Sequence, residues 1–163
     1  MTTIDKAGLL AALRARLEAQ LAELIAAQKS VQAGAFHPEN KQEHSKDTRA
    51  IESAYLARGL AERVESLQDG IAAVSLLKPR PFGAGDPVGV GAVVTIEDED
   101  GAASQYLIAP AGAGEKLSAG GAAVLVVTPQ SPLGSAMIGR RCGDGIEVEL
   151  PGGRMIGEVV SVR

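Results

Sequence analysis

Two long segments with a seven-residue apolar repeat constrain the fold of this chain more than any other feature. The first segment runs from about Asp5 to Ala33, and one heptad position holds Leu10, Leu17, Leu24 and Val31. The second position holds Leu13, Gln20 and Ala27, and the stripe is widened by Leu21 and Ile25. Such a repeat keeps one face of a slightly underwound helix against a partner helix. We predict a helix on the order of 40 Å long, with Thr3 or Asp5 as its cap.

The second segment runs from Lys46 to Val74 and repeats this pattern. Its two heptad positions are occupied by Ser53, Leu60, Leu67 and Val74, and by Ala57, Val64 and Ile71. A helix of this length needs a partner to cover its apolar stripe, and the nearest partner is the first helix. We predict an antiparallel two-helix coiled-coil hairpin over residues 1–77, with two helices of an ordinary globular bundle as the alternative.

The hairpin tip, predicted at about residues 34–47, is polar and acidic. It contains Glu39, Glu43, Asp47, His37 and His44. Gly34 supplies a stop for the first helix, and Pro38 breaks the backbone because proline lacks an amide hydrogen. The two histidines have no Cys or third His nearby, so they do not indicate a zinc site. The acids either reach a partner or are solvated turn residues, and an acid at the start of a helix stabilises the helix dipole.

Composition excludes several classes of protein. Hydrophobic residues make up 45 % of the 163 residues but aromatic residues only 2 %, which predicts an aliphatic core. The single Cys142 excludes an internal disulfide and fits a reducing cytosol, and we expect a buried or half-buried packing thiol. No apolar run approaches the roughly 18 residues of a membrane span, and the N-terminus lacks the features of a signal peptide. We expect a cytoplasmic protein with no membrane partner.

The net charge of −4 is distributed unevenly along the chain. Residues 1–78 hold ten Lys/Arg and ten Asp/Glu, whereas residues 79–163 hold six Lys/Arg and ten Asp/Glu. Neither half has the basic field of a protein that grips a phosphate backbone unaided. A protein partner is therefore favoured over direct nucleic-acid binding.

A stretch rich in Pro and Gly, residues 78–87, is predicted to link the hairpin to a second domain at residues 88–163. Strand-like runs there are Val88–Glu97, Ala103–Ala109, Ala122–Thr128, Gly145–Leu150 and Arg154–Val162. Pro110–Gly121 is predicted as a loop. One short helix is predicted over Ser131–Arg141, with Ser131 as its cap and Pro132 at its first position. Four or five strands and one helix make a small α+β domain.

The most specific motif of the chain is Ser131-Pro-Leu-Gly-Ser-Ala-Met-Ile-Gly-Arg-Arg, followed by Gly143-Asp144 and Pro151-Gly-Gly153. It resembles the C-terminal domain of the Gre family, bacterial transcription elongation factors that act on RNA polymerase. A helical hairpin followed by a small β-rich domain is also similar to this family. The resemblance implies a fold like that of FK506-binding proteins (FKBP-like) for residues 88–163.

The same resemblance implies a function. In Gre factors the second domain docks at the rim of the RNA polymerase secondary channel, and the hairpin tip enters the channel. Acids of the tip help to hold a second Mg²⁺, so that the polymerase cleaves the 3′ end of a backtracked transcript; two metals clamp the attacking and leaving oxygens. We therefore expect a monomeric cofactor of RNA polymerase, not itself an enzyme, with no intrinsic cofactor and only indirect contact with nucleic acid.

Two groups of site residues follow from the resemblance. The tip acids expected at the polymerase metal are Glu43 and Asp47, with Glu39 as a third candidate. The residues expected to bind the partner are Ser131, Pro132, Leu133, Gly134, Arg140, Arg141 and Asp144. Structural roles are the alternative for this second group, as a helix cap for Ser131, a turn for Asp144 and surface solubility for the two arginines.

The tip departs from the Gre pattern, which is approximately Asp-x-x-Glu-Asn-x-Glu-Tyr. This chain has Glu43-His-Ser-Lys-Asp47-Thr-Arg, and no register restores the Asn, the second Glu and the Tyr. Glu43 and Asp47 are four residues apart and would share a face of one helix. A regulator or inhibitor that binds the channel without stimulating cleavage is therefore the main alternative. A peptidyl-prolyl isomerase and a dimerising coiled-coil adaptor are the remaining alternatives.

Overall fold

The computed structural model describes residues 3–35 and 46–163. The first two helices are α1 (Lys6–Ala35) and α2 (Lys46–Leu76). The chain divides into two compact units, one of residues 16–71 and one of the residues up to Ala15 together with Ala72–Arg163. The predicted α+β class, with two N-terminal helices before a β-rich domain, is confirmed. None of the helices in these ranges is both long enough and apolar enough to cross a membrane.

The start of α1 is fixed by Asp5. Its side-chain Oδ1 accepts a hydrogen bond of 2.9 Å from the amide of Gly8, and its carbonyl oxygen accepts one of 3.0 Å from the amide of Leu9. A side-chain oxygen in this position satisfies an amide that the first helical turn leaves without a partner. Of the two predicted caps, Thr3 and Asp5, the second is therefore the one in use. The helix continues to Ala35, one residue beyond the predicted stop at Gly34.

Burial along the two long helices follows the predicted heptads at most positions. In α1, Leu10, Leu13 and Leu17 are buried, while Leu24 and Val31 are half-buried. In α2, the predicted seam residues are all at least half-buried, namely Ser53, Ala57, Leu60, Val64, Leu67, Ile71 and Val74. These covered stripes give each helix the apolar face that the heptad spacing predicted.

The prediction for Gln20 and Ala27 was wrong. Both residues are exposed, and the covered stripe of α1 passes through Leu21 and Gln28 instead. With 3.6 residues per turn, steps of three and four residues both return to the same face of a helix. Leu21 removes more apolar surface from water than Gln20, so the step of four is the more favourable one after Leu17.

The second unit contains a mixed sheet of six strands. They are β1 (Val93–Asp98), β2 (Ala103–Ile108), β3 (Lys116–Ala119), β4 (Ala122–Val127), β5 (Gly145–Leu150) and β6 (Gly153–Val162). Their order across the sheet is β3-β4-β2-β1-β6-β5. Strands β2 and β4 are parallel, with Gln105 opposite Val124, and the other neighbours are antiparallel. The third helix, α3 (Pro132–Met137), packs against β5.

Three predicted boundaries in this unit differ from the structure. The predicted loop Pro110–Gly121 contains β3, which pairs with β4 across a turn at Gly120 and Gly121. The first strand begins at Val93 and not at Val88, because Gly91 adopts a φ of +91° in a turn. The short helix ends at Met137 and not at Arg141, because Gly139 has a φ of +79° and its amide donates to the carbonyl of Val88. A positive φ suits glycine and does not continue a right-handed helix or a strand.

The core of the sheet unit is aliphatic, as the composition predicted. It lies between α3 and one face of the sheet, and its buried members include Val94, Ile96, Ile108, Leu133, Met137, Ile146, Val159 and Val162. Phe82 and Tyr106 are the aromatic residues of this core, and each is 8 % exposed. The helix therefore holds the segment after β4 firmly on the sheet, which positions the residues of the Ser131–Asp144 motif.

Candidate functional site

The tip of the hairpin falls largely outside the described residues. Glu39 and Glu43 lie there, as do His37 and His44, so their predicted roles stay predictions. Asp47 is the second residue of α2, in the first turn of that helix. Within residues 3–35 and 46–163, no group of three or more His, Cys, Asp or Glu side chains is placed to hold a metal ion.

The motif of the sheet unit begins with Ser131, which caps α3. Its hydroxyl accepts a hydrogen bond of 3.1 Å from the amide of Gly134 and donates one of 2.7 Å to the carbonyl of Thr128. Pro132 occupies the start of the helix, where its missing amide hydrogen costs nothing. Ser131 therefore fastens the helix start to the end of β4. The predicted cap is confirmed.

Gly134 is in this motif because no larger residue fits. A Cβ atom built at this position would lie 1.9 Å from the carbonyl oxygen of Thr128 and 2.8 Å from its carbonyl carbon. The neighbouring Leu133 and Met137 are buried on the core side of α3. The Ser-Pro-Leu-Gly portion of the motif thus sets how closely α3 approaches the strand that precedes it.

The segment after α3 folds back on the domain through its backbone. The amide of Gly139 donates to the carbonyl of Val88 at 2.9 Å, and the amide of Val88 donates to the carbonyl of Arg140 at 2.7 Å. The side chain of Arg140 is exposed, and its Nε donates to the carbonyl of Ala136 at 3.4 Å. The backbone of Arg140 is therefore fixed while its guanidinium group faces solvent.

Asp144 closes a tight turn that displays Arg141. Its Oδ2 accepts a hydrogen bond of 2.7 Å from the amide of Arg141, and its own amide donates to the carbonyl of Arg141 at 3.0 Å. The guanidinium of Arg141 is exposed and donates through Nη1 to the carbonyl of Gly85. Neither Arg140 nor Arg141 forms an ion pair with a carboxylate among the described residues. Asp144 therefore forms a turn, which was the structural alternative predicted for it.

These contacts divide the predicted partner-binding residues into two groups. Ser131, Leu133, Gly134 and Asp144 are used within the domain, by capping, packing or turn formation. Pro132, Arg140 and Arg141 are exposed at its surface. Contact of either group with a partner stays a prediction, and the exposed arginines are the members that can reach one directly.

The expectation of a buried or half-buried Cys142 was wrong. Its side chain is exposed, and the sulfur lies 3.2 Å from the carbonyl oxygen of Val160, to which the thiol donates. The pairing of β1 with β6 shifts register between Thr95 and Ile96, which leaves Val160 as an extra residue in a β-bulge. A bulge turns a carbonyl out of the strand ladder, so this thiol finds a partner at the surface and not in the core.

A cluster that the sequence did not indicate lies where α1 meets the segment before the sheet. The ammonium of Lys6 donates to the carbonyl of Arg80 at 2.5 Å and lies 4.5 Å from the centre of the Phe82 ring. The guanidinium of Arg80 lies 3.9 Å from the same ring. Lys6 and Arg80 are 74 positions apart, and no local pattern joins residues so distant in the chain. In the sequence, this cluster is indicated only by the closeness of Arg80 and Phe82 in the proline-rich stretch.

The chain is similar in sequence to known proteins. Residues 83–163 match the family described as transcription elongation factor, GreA/GreB, C-terminal. The transcription elongation factor GreA of Rhodospirillum rubrum is 37 % identical over 102 residues, which span 62 % of this chain and 60 % of that protein.

Two further relatives match over longer stretches. The transcription elongation factor GreA of Sphingopyxis alaskensis is 30 % identical over 154 residues, which span 94 % of this chain and 92 % of that protein. The transcription inhibitor protein Gfh1 of Thermus thermophilus is 29 % identical over 119 residues, which span 71 % of each chain. Because the match to a GreA factor covers nearly the full length of both proteins, the chain belongs to the GreA/GreB family of bacterial transcription elongation factors.

Proposed function

We propose that this protein binds RNA polymerase as a monomer at the secondary channel and inserts its hairpin tip toward the active site. There it stimulates cleavage of backtracked transcripts. The observation that carries the proposal is the match to a GreA elongation factor over both the helical and the sheet units. The protein acts as a cofactor of the polymerase and touches nucleic acid only through the elongation complex.

The helical unit suits a probe of a narrow channel. The covered stripe of α2 contains small residues near the tip, where Ser53 and Ala57 are half-buried. Further along the helix it contains the buried Leu60. Small residues let two helix backbones approach closely, which keeps the end of a hairpin slim. Residues 1–78 carry as many acidic as basic residues, so the probe does not adhere to nucleic acid as it enters.

The chemistry of the proposal rests on the carboxylates of the tip. Glu43 and Asp47, with Glu39 as the third candidate, supply oxygen ligands of the type that Mg²⁺ prefers. A second Mg²⁺ bound at the polymerase active site would stabilise charge on the attacking and leaving oxygens of the phosphodiester. The role of this chain is to bring carboxylate oxygens to that position, and Asp47, in the first turn of α2, stands where the helix begins.

The sheet unit supplies the docking surface. Ser131 and Gly134 hold α3 on the sheet, and Asp144 closes the turn that presents the exposed Arg141 beside the exposed Arg140. Two adjacent guanidinium groups without a carboxylate partner among the described residues favour an acidic docking surface on the polymerase. In this proposal the buried members of the motif shape the surface and the arginines contact the partner.

Inhibition without cleavage is the second candidate, and one specific observation favours it. The tip lacks the Asn, the second Glu and the Tyr of the cleavage-competent Gre pattern and has Lys46 next to Asp47. One relative of 29 % identity is a transcription inhibitor. A peptidyl-prolyl isomerase is disfavoured, since residues 78–163 contain only two aromatic residues, Phe82 and Tyr106, which are too few to build an aromatic-lined proline pocket.

Transcript cleavage in a stalled, backtracked elongation complex tests the proposal. We expect shortened transcripts with the wild-type protein and their loss with the double substitution Glu43→Ala/Asp47→Ala. The matched control is Glu65→Ala/Asp69→Ala, which removes two exposed acids with the same spacing from the second half of α2. Cleavage that survives the tip substitution refutes the metal role, and polymerase binding without cleavage by the wild type selects the inhibitor. Absence of polymerase binding refutes both candidates.

A further inference from the structure

The second compact unit contains a pocket that the proposed function does not use. It is a cavity of about 780 Å³ formed by residues 3–7 at the start of α1, residues 79–82 of the segment before the sheet, and Arg163. Its volume lies within the range of sites for small organic molecules. Ile4, Pro79 and Pro81 give it apolar walls, while Lys6 and Arg80 bring two positive charges to it.

The two cations are held on one aromatic ring. The Lys6 ammonium and the Arg80 guanidinium lie 4.5 Å and 3.9 Å from the centre of the Phe82 ring. Phe82 is only 8 % exposed, so the ring is a fixed platform. Attraction between a cation and the face of a ring is worth about 0.5–2 kcal/mol, and it holds both charged groups in place before any ligand arrives.

Lys6 and Arg80 are available to an added anion within the described part of the chain. No carboxylate there forms an ion pair with Lys6 or Arg80. Asp5 lines the same pocket and carries a negative charge, but it forms no ion pair with Lys6 or Arg80, and its Oδ1 accepts a hydrogen bond from the amide of Gly8 as the cap of α1. The ammonium of Lys6 has three N–H donors, and one of them is directed to the carbonyl of Arg80. Two donors of Lys6 and the guanidinium of Arg80 thus remain for a ligand.

The lowered pKa of Lys6 supports binding of an anion at this site. Its pKa is lowered from 10.5 to about 8, first by burial and then by the positive charge of Arg80. An anion placed between the two groups would offset both effects and raise the pKa again. The affinity for an anion should therefore fall as the pH rises through 8 and Lys6 loses its proton.

We propose that this pocket binds a small organic anion, a phosphate or carboxylate group carried on an apolar body, with Lys6 and Arg80 as its charged ligands. The anionic group pairs with the two cations beside Phe82, and the apolar body lies against Ile4, Pro79 and Pro81. The site lies outside the hairpin tip and outside the Ser131–Asp144 motif, so it does not depend on the role of either in transcription.

Titration of the full chain with phenyl phosphate at pH 7, followed by backbone amide NMR, tests this proposal. We expect saturable shifts at residues 4–7, Arg80 and Phe82. Lys6→Gln and Arg80→Gln should each weaken binding at least tenfold, which is about the loss of one charge-assisted hydrogen bond. The control Lys116→Gln removes an exposed lysine of β3 and should leave the affinity within twofold. Inorganic phosphate has the charge but no ring, and benzyl alcohol has the ring but no charge. Each should bind at least tenfold more weakly than phenyl phosphate.

The variant Lys6→Arg separates binding from folding, because it keeps the charge and does not titrate near pH 8. It should retain binding at pH 7 and also at pH 9.5, where the wild type binds at least tenfold more weakly. The proposal is overturned if benzyl alcohol binds as tightly as phenyl phosphate, or if the shifts fall elsewhere or do not saturate. It is equally overturned if Lys6→Gln and Arg80→Gln both bind within twofold of the wild type.

Discussion

Replacement of Gly134 by alanine tests the role of the Ser131–Asp144 motif in the sheet unit. The added Cβ would lie 1.9 Å from the carbonyl oxygen of Thr128 and 3.0 Å from the hydroxyl oxygen of Ser131. That carbonyl already accepts hydrogen bonds from the amide of Ser131 at 3.0 Å and from its hydroxyl at 2.7 Å. The oxygen therefore cannot move away without loss of the contacts that hold the start of α3.

Gly134→Ala disturbs these contacts at the start of α3. Forcing a methyl group into a packed site costs about 1–3 kcal/mol, and loss of the Ser131 cap costs about 1 kcal/mol more. The better helix propensity of alanine returns about 1 kcal/mol. We therefore expect the free energy of unfolding of the sheet unit to fall by about 2 kcal/mol.

Urea unfolding followed by tyrosine fluorescence measures this change. Tyr106 is buried in the sheet unit and reports its unfolding, whereas Tyr55 is 72 % exposed and changes little. With an m-value of about 2 kcal/mol/M, the urea midpoint should fall by about 1 M. The control Gly145→Ala places its Cβ no closer than 3.9 Å to any neighbour, at the carbonyl of Gly157. If Gly134→Ala stays within about 0.5 kcal/mol of the wild type, as surface substitutions do, the close approach of α3 to Thr128 does not constrain this position.

Gly59→Ala should stabilise α2 by about 0.5–1 kcal/mol in thermal unfolding followed by circular dichroism, because its Cβ meets nothing within 4 Å; a loss of stability contradicts an open helical site. Ser131→Ala should destabilise the sheet unit by about 1 kcal/mol in the urea assay, since it removes the cap; an unchanged midpoint contradicts that role. Lys6 has a folded pKa of about 8 against 10.5 in the unfolded chain, so charging it opposes folding most below pH 8. From pH 8 to 10.5 the stability of the wild type should therefore rise relative to Lys6→Met, and a parallel pH dependence of the two proteins refutes the lowered pKa.

The heptad pattern predicted the long helices well because the burial of a helix face is a local, periodic property. A spacing of seven residues identified Leu17, Leu60 and Val74 as covered positions. The same spacing failed at Gln20, because it fixes the period and not which of two adjacent residues faces the partner. Side-chain size and polarity decide that choice, and Leu21 takes the covered position.

The sheet unit was predicted less completely because its information is spread over distant residues. Strand β3 lies in a sequence rich in Gly and Ala, and only Leu117 of its four residues is buried, so it carries no alternating pattern. The cap by Ser131 was predictable because Ser followed by Pro is a local signal for a helix start. The hydrogen bond from Cys142 to Val160 involves the residue that a bulge in β6 leaves unpaired, and sequence alone does not show where a bulge lies.

Some parts of the candidate site were predictable and others were not, because some depend on neighbouring residues and others on residues far apart in the chain. The motif at Ser131–Asp144 is contiguous, and its local roles followed from residue type and spacing. The pairing of Lys6 with Arg80 arises only when α1 and residues 79–82 come together in the fold. The carboxylates of the tip are present in the sequence, and their predicted roles stay predictions.

The position of the tip within the polymerase complex tests the central claim most directly. Cys142 is exposed, so it is first replaced in the variant Cys142→Ser, which keeps a donor for the carbonyl of Val160. A single cysteine introduced by Glu43→Cys then carries a tethered iron chelate that generates hydroxyl radicals, with Glu65→Cys as the control on α2. We predict that position 43 cuts the polymerase around its catalytic metal and the transcript at its 3′ end, while position 65 cuts neither. Binding with cuts confined to the outer surface of the polymerase would contradict insertion of the hairpin through the secondary channel.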